Sequence, residues 1–420
     1  MRKRILVKAP ALSRSGYGVQ SRFAIQALRS REDIFEIFII NISWGKTGHV
    51  IEETEEISFI KSTLLKTAQY VGSNGQFDIS LQITVPNEFE KIAPVNIGYT
   101  AGIETTKVAG PWLEKTNAFM DKLIVVSEHS QKVFEQTTYD VTDEAGNEIK
   151  GWGLRVPITT VNYPVRDFAP EPVDINLTTD QNFLVVSQWG PRKNLENTIG
   201  WFVQNFKDNE NVGLVVKTNI VGDSIIDRMM TSRRLEALVS TVGEHKCKVY
   251  LLHGELSQNE LTWLYQHPTM KALINIGHGE GYGLPLFEAA YNGLSLITTT
   301  WSGQMDFICK KNKKGKRVPR INRVEFDLNQ VQKEAVWPGI IEADAKWCFA
   351  REASYKRSLS AALEKESHFK KEAGTLQTHI LENFTAEKIY KDFVDAIVDP
   401  TELSAETEAW NKELADIEMI

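Results

Sequence analysis

The sequence has few cysteines, no long apolar run and no excess of positive charge. Its three cysteines, in 420 residues, lie far apart without C-x-x-C spacing, which predicts a reducing cytoplasm. Pro10 breaks the first apolar run, so we expect no signal peptide, and no stretch reaches the ~20 apolar residues of a membrane span. A formal net charge of −7 excludes a global attraction to nucleic acid or anionic membranes, although it allows a local basic patch.

Metal-binding patterns and repeats are also missing. The eight histidines are not in ligand spacing, and no Asp-x-Asp lies between short apolar strands, so we expect no bound metal. The sequence contains neither a solenoid repeat nor a low-complexity tract. A hydrophobic content of 42% and a charged content of 25% are typical of a globular protein, and the length favours two or three domains.

What the sequence does contain is an alternation of short β-branched runs with longer amphipathic segments. The first series predicts strands at 4–10, 35–42, 77–83, 95–101 and 122–127, and helices at 19–30 and 127–138. A polar hairpin at 140–153 and a linker at 162–180 follow. The second series predicts strands at 183–189, 212–218, 247–254, 271–277, 294–300 and 324–327, and helices at 194–206, 222–240, 257–267, 284–293 and from about 351.

This alternation predicts the fold class. It indicates an α/β protein with two Rossmann-like domains, in which mostly parallel sheets face a cleft between the domains. We expect domains at 1–165 and 166–385, and a helical segment at 386–420 that packs back toward the first domain. Ligands of such folds bind at the carboxyl ends of the strands, so the cleft is the predicted site.

The stretch GHGEGYGLPLFEAAYNG, at 277–293, joins a predicted strand to a predicted helix. A glycine-rich loop that opens a helix presents free backbone N–H groups and a positive dipole end to an anion. Its glycines allow a ligand to approach closely, and Pro285 suits the first helical turn. We therefore expect phosphate at this loop.

The two acids of this stretch have separate expected roles. Glu288, in the first turns of the helix, is placed to accept hydrogen bonds from a ribose diol, whereas Glu280 reaches the group beyond the phosphates. The alternative is a plain glycine turn in which Glu288 only complements the helix dipole.

The spacing resembles the retaining sugar-nucleotide glycosyltransferases of family 4, which adopt the GT-B fold. Their hallmark is an acid, then Gly-Phe/Tyr-Gly-Leu-Pro, then a second acid eight positions after the first, as at Glu280 and Glu288. The resemblance implies that Glu288 binds the ribose of a UDP-, GDP- or ADP-sugar and that Glu280 contacts the donor sugar. It also implies that the backbone of Gly283 and Leu284 holds the diphosphate, and that Gly281 and Tyr282 belong to the donor-binding loop. The similarity extends to 249–268 and 301–308.

A second segment, SQWGPRKNLENTI at 187–199, resembles the Arg-x-x-x-x-Lys phosphate clamp of the family. Lys193 matches the lysine, but Gln188 stands where the arginine is expected. A basic group here would neutralise a leaving diphosphate, and we expect Arg192 or Lys217 to supply the missing charge. The alternative for Arg192 is an exposed loop residue.

The first domain carries weaker signals. Gly16 and Gly18 lie in a glycine loop that opens a helix, where many family members have a small-residue loop facing the donor diphosphate or the acceptor. The segment 95–115 resembles the region where many members place a histidine, but this chain has Ala101 there. Glu104 is the nearest ionisable group, either as a catalytic residue or as a cap of the helix near Pro111. We expect His129 and His278 to be structural.

The resemblance implies a retaining hexosyl- or pentosyltransferase with an acceptor-side first domain and a nucleotide-sugar-binding second domain. The β-phosphate of the donor would accept the proton of the attacking hydroxyl, so neither a metal nor a strong protein base is expected. Two alternatives stay open: a sugar-nucleotide 2-epimerase of the same fold, and a binding protein with a degraded site.

Whole stretches of the chain also resemble family 4 glycosyltransferases encoded by tailed phages of marine bacteria, which would place the protein in the host cytoplasm. The acceptor stays open among a glycan, a lipid-linked sugar, a protein and a modified DNA base. The basic run at 310–317 is either a contact for nucleic acid or membrane phosphates or a solvated loop. We expect no stable membrane insertion.

Overall fold

The structure is a computed structural model that describes residues 2–45, 47–143 and 145–399. Its first half contains eight strands: β1 (Lys3–Ala9), β2 (Phe35–Asn41), β3 (Ile79–Ile83), β4 (Val95–Thr100), β5 (Lys122–Val125), β6 (Tyr139–Thr142), β7 (Glu148–Trp152) and β8 (Ile158–Thr160). Six of them form one sheet in the order β2-β1-β3-β4-β5-β8, and all its pairings are parallel. Strands β6 and β7 form the predicted hairpin.

Four helices accompany this sheet: α1 (Gly16–Arg29), α2 (Glu55–Gly72), α3 (Gly110–Phe119) and α4 (Glu128–Gln136). Side chains of Ser15, Thr54 and Ser127 cap the first turns of α1, α2 and α4 by accepting backbone N–H groups. Helix α2 has no predicted counterpart, and α1 begins three residues before the predicted bound at 19 because Ser15 caps it.

The second half repeats this architecture. Its strands are β9 (Gln181–Val186), β10 (Val212–Thr218), β11 (Lys248–His253), β12 (Met270–Asn275), β13 (Leu296–Thr299), β14 (Cys309–Lys311), β15 (Arg317–Pro319), β16 (Asn322–Val324), β17 (Phe326–Gln330) and β18 (Lys346–Ala350). Six of them form a parallel sheet in the order β11-β10-β9-β12-β13-β16. Its helices are α5 (Leu195–Asn205), α6 (Ile225–Ser240), α7 (Gln258–Gln266), α8 (Leu284–Tyr291) and α9 (Met305–Ile308).

Buried apolar runs explain why these strands form. Strand β10 reads Val-Gly-Leu-Val-Val over its first five positions, and all five are buried because helices cover both faces of the sheet. The three cysteines are free thiols and are buried. None of the helices in the described ranges combines the length and apolarity that a bilayer-spanning segment requires.

The prediction of a single strand at 324–327 is wrong. The chain bends at Glu325, so β16 ends in the large sheet while β17 starts a separate pair with β18. Glu325 is held at the bend, where its N–H donates to Ser354 Oγ at 3.0 Å and its carbonyl accepts from Arg351 N at 2.8 Å. We call residues 331–345, which connect β17 to β18, the strap.

The basic run at 310–317 forms the β14–β15 hairpin, whose turn is closed around Asn312 Oδ1. Three further helices end the described chain: α10 (Glu352–Glu364), α11 (Glu366–Asn383) and α12 (Ala386–Ile397). Helix α12 packs on α1, with the rings of Phe393 and Phe23 5.2 Å apart. The rest of the predicted C-terminal segment, 400–420, lies outside the described residues.

Candidate active site

The carboxyl ends of the two sheets face each other across the interface between the two halves. Parallel strands place all their carboxyl ends at one edge, so the loops after the strands meet there. Ser127, which follows β5, donates from Oγ to Gly281 O at 2.7 Å. Arg14, which follows β1, pairs with Glu255, which follows β11. The site is therefore built from loops of both halves.

Glu280 lies at the centre of this interface and is almost fully buried. Its Oε1 accepts from Lys193 Nζ at 2.6 Å and from Asn275 Nδ2 at 3.0 Å, and its Oε2 accepts from Arg192 Nη1 at 3.2 Å. Burial opposes ionisation of this carboxyl, but the charges of Lys193 and Arg192 outweigh it and lower the pKa of Glu280 to about 2. Glu280 is thus a carboxylate held by two cations.

The backbone of Glu280 is fixed as firmly as its side chain. Its N–H donates to Ser302 Oγ at 2.9 Å, and its carbonyl accepts from Gly303 N at 2.9 Å. Ser302 has a φ of +66°, which a non-glycine residue adopts only where its surroundings hold it. A Cβ on Gly303 would lie 1.9 Å from Gly281 O, so only glycine fits there. These contacts give the segment 301–308 a structural role beside Glu280.

Helix α8 begins directly after this loop. Gly283 precedes it with a φ of +93°, a conformation that favours glycine, and no side chain caps the first turn. The backbone at Gly283 and Leu284 therefore presents the uncapped N–H end that an anion binds. The side chain of Tyr282 is buried in the core, with its ring 5.0 Å from that of Tyr163. Only the backbone of Tyr282 is therefore part of the surface of the glycine-rich loop.

Glu288 lies one turn into α8, apart from Glu280. Its Oε2 accepts from Tyr265 OH at 3.1 Å. Burial raises the pKa of Glu288 to about 7, and the nearby charges of Arg166 and Lys217 only partly offset this effect. Among residues 2–45, 47–143 and 145–399, no cation forms a hydrogen bond with Glu288, so its carboxyl retains acceptor capacity for hydroxyl groups.

Lys217 is the last but one residue of strand β10 and is partly buried. Burial lowers the pKa of its ammonium group, while Glu255 and Glu288 act against this shift. No carboxylate in the described ranges lies within salt-bridge distance of Lys217. Arg14, by contrast, is paired with both Glu52 and Glu255. Lys217 is therefore a partly buried cation near Glu288.

Gln188 does not take the position of a phosphate-binding cation. Its side chain is exposed and donates from Nε2 to Ile220 O at 2.8 Å, which fixes the loop after β10. Asp227 fixes the same loop by accepting the N–H groups of Ile220 and Val221 at 3.0 and 2.6 Å, and His253 Nε2 lies 2.7 Å from its Oδ1. Asp227 and His253 escaped prediction because only tertiary structure brings them together.

The glycine loop of the first half has two different glycines. A Cβ on Gly18 would lie 1.8 Å from Ser13 O, and the N–H of Gly18 already donates to Ser15 Oγ at 3.2 Å. Gly18 thus serves packing and cannot offer its N–H to a ligand. Gly16 has open space around it and begins α1, so the first N–H groups of this helix are the part that can meet an anion.

Glu104 does not cap the helix near Pro111, because α3 begins after Ala109 without a side-chain cap. Glu104 instead lies against the glycine loop: its Oε1 is 3.3 Å from Arg192 Nη2, and a Cβ on Gly279 would be 2.2 Å from its carbonyl oxygen. Arg192 is therefore no exposed loop residue. It joins Glu104 of the first half to Glu280 of the second.

The histidines near the site have structural surroundings. His278 is buried, its Nδ1 lies 2.7 Å from Cys348 O, and its ring stacks on Trp347. Burial lowers the pKa of His129 to about 4, and its ring contacts the edge of Trp301. Among the described residues, no three His, Cys, Asp or Glu side chains are grouped as metal ligands would be.

Comparison with known proteins adds the fold class. No protein-family model matches the chain, and no curated protein matches it in sequence. Sucrose-phosphate synthase from Thermosynechococcus elongatus is similar in structure, with a TM-score of 0.60 and 12% identity over 97% of this chain and 100% of that chain. Anabaena HepE in complex with UDP and glucose has a TM-score of 0.57 and 12% identity over 94% and 99%.

The lipopolysaccharide outer core galactosyltransferase WaaB, in its apo form, has a TM-score of 0.53 and 15% identity over 94% of this chain and 99% of that chain. At such identities the similarity shows the fold and not the activity. The chain has the two-domain GT-B fold, with two parallel sheets, and this confirms the fold class predicted from the sequence.

Proposed function

We propose that the protein is a glycosyltransferase that moves a sugar from a nucleotide-diphosphate sugar to an acceptor hydroxyl, with retention of configuration. The observation that carries the proposal is the arrangement of two acids around one uncapped helix end: Glu280 before α8 and Glu288 within it. Lys193 and Arg192 pair with Glu280, and Lys217 lies near Glu288, so three cations accompany the two acids. This is the composition that a sugar, a ribose and a diphosphate require together.

Each part of the donor has a matching group. The diphosphate would bind the N–H groups at Gly283 and Leu284, opposite the start of α1 at Gly16, with charge from Lys217. The ribose diol would donate to Glu288, which has acceptor capacity beyond its bond with Tyr265. The sugar would lie beyond the phosphates, next to Glu280. The complex of HepE with UDP and glucose makes UDP-glucose the first donor to test.

The chemistry then follows from charge. As the bond between the sugar and the diphosphate breaks, negative charge accumulates on the leaving phosphate and positive charge on the sugar. Lys193 and Arg192, which pair with Glu280, would share their charge with the phosphate, and Glu280 would stabilise the sugar. Attack from the side of the leaving group would retain configuration, with the β-phosphate taking the proton of the hydroxyl. No histidine at Ala101 is then required.

Lys193 tests this mechanism. With UDP-glucose and a saccharide acceptor, Lys193→Met is expected to lower the turnover number by about 100-fold, the scale for losing one charge-stabilising donor. Lys150→Met, on the exposed β6–β7 hairpin, is the control and keeps full turnover. The anomeric configuration of the product, measured by NMR, tests retention, since an inverted product would refute it. Replacing UDP-glucose by a UDP-pentose in the same assay decides between a hexosyl- and a pentosyltransferase.

One alternative has an observation in its favour. Gln188 donates to Ile220 O and brings no charge to the phosphate site, so the clamp is weaker than a two-cation clamp. A protein that only binds nucleotide sugars would show donor binding without turnover in the same assay. Membership of family 4 and the similarity to phage members stay predictions from the sequence.

A further inference from the structure

The strap, residues 331–345, is fixed to the second domain at its base. Cys348 N donates to His278 O at 2.9 Å, and His278 Nδ1 lies 2.7 Å from Cys348 O. Because a carbonyl oxygen only accepts, Nδ1 carries the proton, and His278 Nε2 therefore accepts from Gln332 Nε2 at 3.0 Å. His278, two residues before Glu280, thus ties the start of the strap, at Gln332, and strand β18, at Cys348, to the glycine loop.

The strap also reaches the first domain. Thr106 N donates to Lys346 O at 2.9 Å, and Lys346 N donates to Thr106 Oγ1 at 2.9 Å. Lys107 Nζ lies 2.6 Å from Asp344 Oδ2, and Ile340 packs against the apolar cluster around α3. The strap therefore crosses from one domain to the other beside Glu104.

Trp337 lies on this crossing segment. The turn Lys333–Ala335 lies against the turn Pro191–Lys193. This second turn carries Arg192 and Lys193, the two cations that pair with Glu280. Two residues further, Trp337 is 63% exposed, although its backbone is fixed by bonds with Ile341 at 3.0 and 2.7 Å. Because its backbone is fixed and its ring is uncovered, Trp337 presents a flat apolar face at a defined place on the strap.

We propose that Trp337 is the platform of the acceptor site and that it stacks on a pyranose ring of a saccharide acceptor. The indole face suits the apolar C–H face of a sugar, and the polar groups of the strap suit its hydroxyls. This proposal rests on the proposed function, because it places the acceptor beside the donor sugar at Glu280.

Charge distinguishes a saccharide from a nucleic acid here. Nucleic acid bases also stack on tryptophan, but their binding sites carry positive charge for the phosphates. The strap carries Lys333 and three acids, Glu334, Glu342 and Asp344; because Asp344 is paired with Lys107, two acids are left against one lysine. A neutral sugar meets no repulsion on such a surface, whereas a DNA or RNA strand does.

The test measures donor and acceptor binding separately. Binding of UDP-, GDP- and ADP-glucose is measured by calorimetry, and binding of a panel of neutral disaccharides and oligosaccharides is measured by saturation-transfer NMR in the presence of UDP. The variants are Trp337→Ala and Trp337→Phe. Leu381→Ala is the control, because Leu381 is 46% exposed on α11 and takes no part in the site. Melting temperatures establish that each variant is folded.

We expect at least one saccharide to bind, with a dissociation constant that rises about tenfold in Trp337→Ala, as for a central aromatic contact. Trp337→Phe keeps the ring and should weaken binding by only about threefold, and Leu381→Ala should not change it. Donor binding should be equal in all variants.

Two results overturn the platform: no saccharide binds, or one binds equally well to Trp337→Ala. The platform is also overturned if a nucleic acid or a protein, and no saccharide, binds in a way that depends on Trp337. Failure of the wild type to bind any nucleotide sugar, by contrast, refutes the proposed function, and the saccharide data then decide the platform by themselves.

Discussion

Lys193 Nζ lies 2.6 Å from Glu280 Oε1, with only 18% of the lysine side chain and 8% of the glutamate side chain exposed. The lysine follows β9 and the glutamate follows β12, two neighbouring strands of the second sheet. Burial lowers the pKa of Lys193 because it disfavours the charged ammonium group. The ion pair is therefore stable only because the fold holds the two side chains together. The pair links the proposed sugar-binding acid to the proposed phosphate-binding base.

Loss of Glu280 should destabilise the protein. Glu280→Ala leaves Lys193 and Arg192 without their buried carboxylate, and removal of one partner of such a pair costs about 3 kcal/mol. Urea denaturation measures the free energy of unfolding. The control is Glu210→Ala on the exposed loop before β10, which should stay within about 0.5 kcal/mol of the wild type. Equal stabilities of the two variants would contradict the pairing.

The same pair predicts a loss of stability in acid. The pKa of Glu280 is lowered from 4.5 to about 2, so its contribution is fully present above pH 4.5 and disappears as the pH falls toward 2. The free energy of unfolding of the wild type should therefore approach that of Glu280→Ala over this range. Denaturation at several pH values measures the difference between the two proteins. A difference that stays constant down to pH 2 would be the opposite result.

Glu288 should show the reverse dependence. Burial raises its pKa from 4.5 to about 7, so the stability linked to its neutral form is present below pH 4.5 and is lost as the pH rises through 7. Glu288→Gln removes the charge, and we expect it to stabilise the protein at pH 8 by up to about 3 kcal/mol. At pH 4 the variant should match the wild type.

The higher stability of Glu288→Gln should be accompanied by weaker nucleotide binding. Glutamine is a weaker acceptor for the ribose hydroxyls than a carboxylate, so nucleotide binding by Glu288→Gln should weaken by about tenfold. Calorimetry with UDP measures it. A variant that is more stable and binds UDP as well as the wild type would show that Glu288 does not contact the ribose.

Gly281 should be intolerant of any side chain. A Cβ there would lie 1.9 Å from Ala101 O of the first domain, so Gly281→Ala must push the domains apart or distort the loop. We expect a loss of about 2 kcal/mol, typical of overpacking, and a larger radius of gyration in small-angle scattering. Gly200→Ala, in α5 with open space at its Cβ, should be neutral or stabilising by up to about 1 kcal/mol.

The local parts of the fold could be predicted from the sequence. Strand β10 matches its predicted range, and α5, α7 and α8 begin within one residue of theirs, because apolar periodicity and caps such as Ser257 act over a few residues. The strand–loop–helix context of Glu280 and Glu288 was predictable for the same reason.

Contacts between distant segments were not predictable. Tyr282 reads as part of the phosphate loop, yet its side chain fills the core beside Tyr163. Gln188 stands where the family has an arginine, but its side chain donates to the carbonyl of Ile220. Glu104 forms an ion pair with Arg192 although 87 positions lie between them in the sequence. No periodicity reports such pairs, since they depend on how the two sheets are placed.

The most direct test of the central claim is a calorimetric titration of the protein with UDP-, GDP- and ADP-glucose. The account predicts that at least one of them binds with a micromolar dissociation constant, and that Glu288→Ala weakens this binding by at least about tenfold. Binding of none of the three, or binding that Glu288→Ala leaves unchanged, would contradict a nucleotide-sugar site at α8.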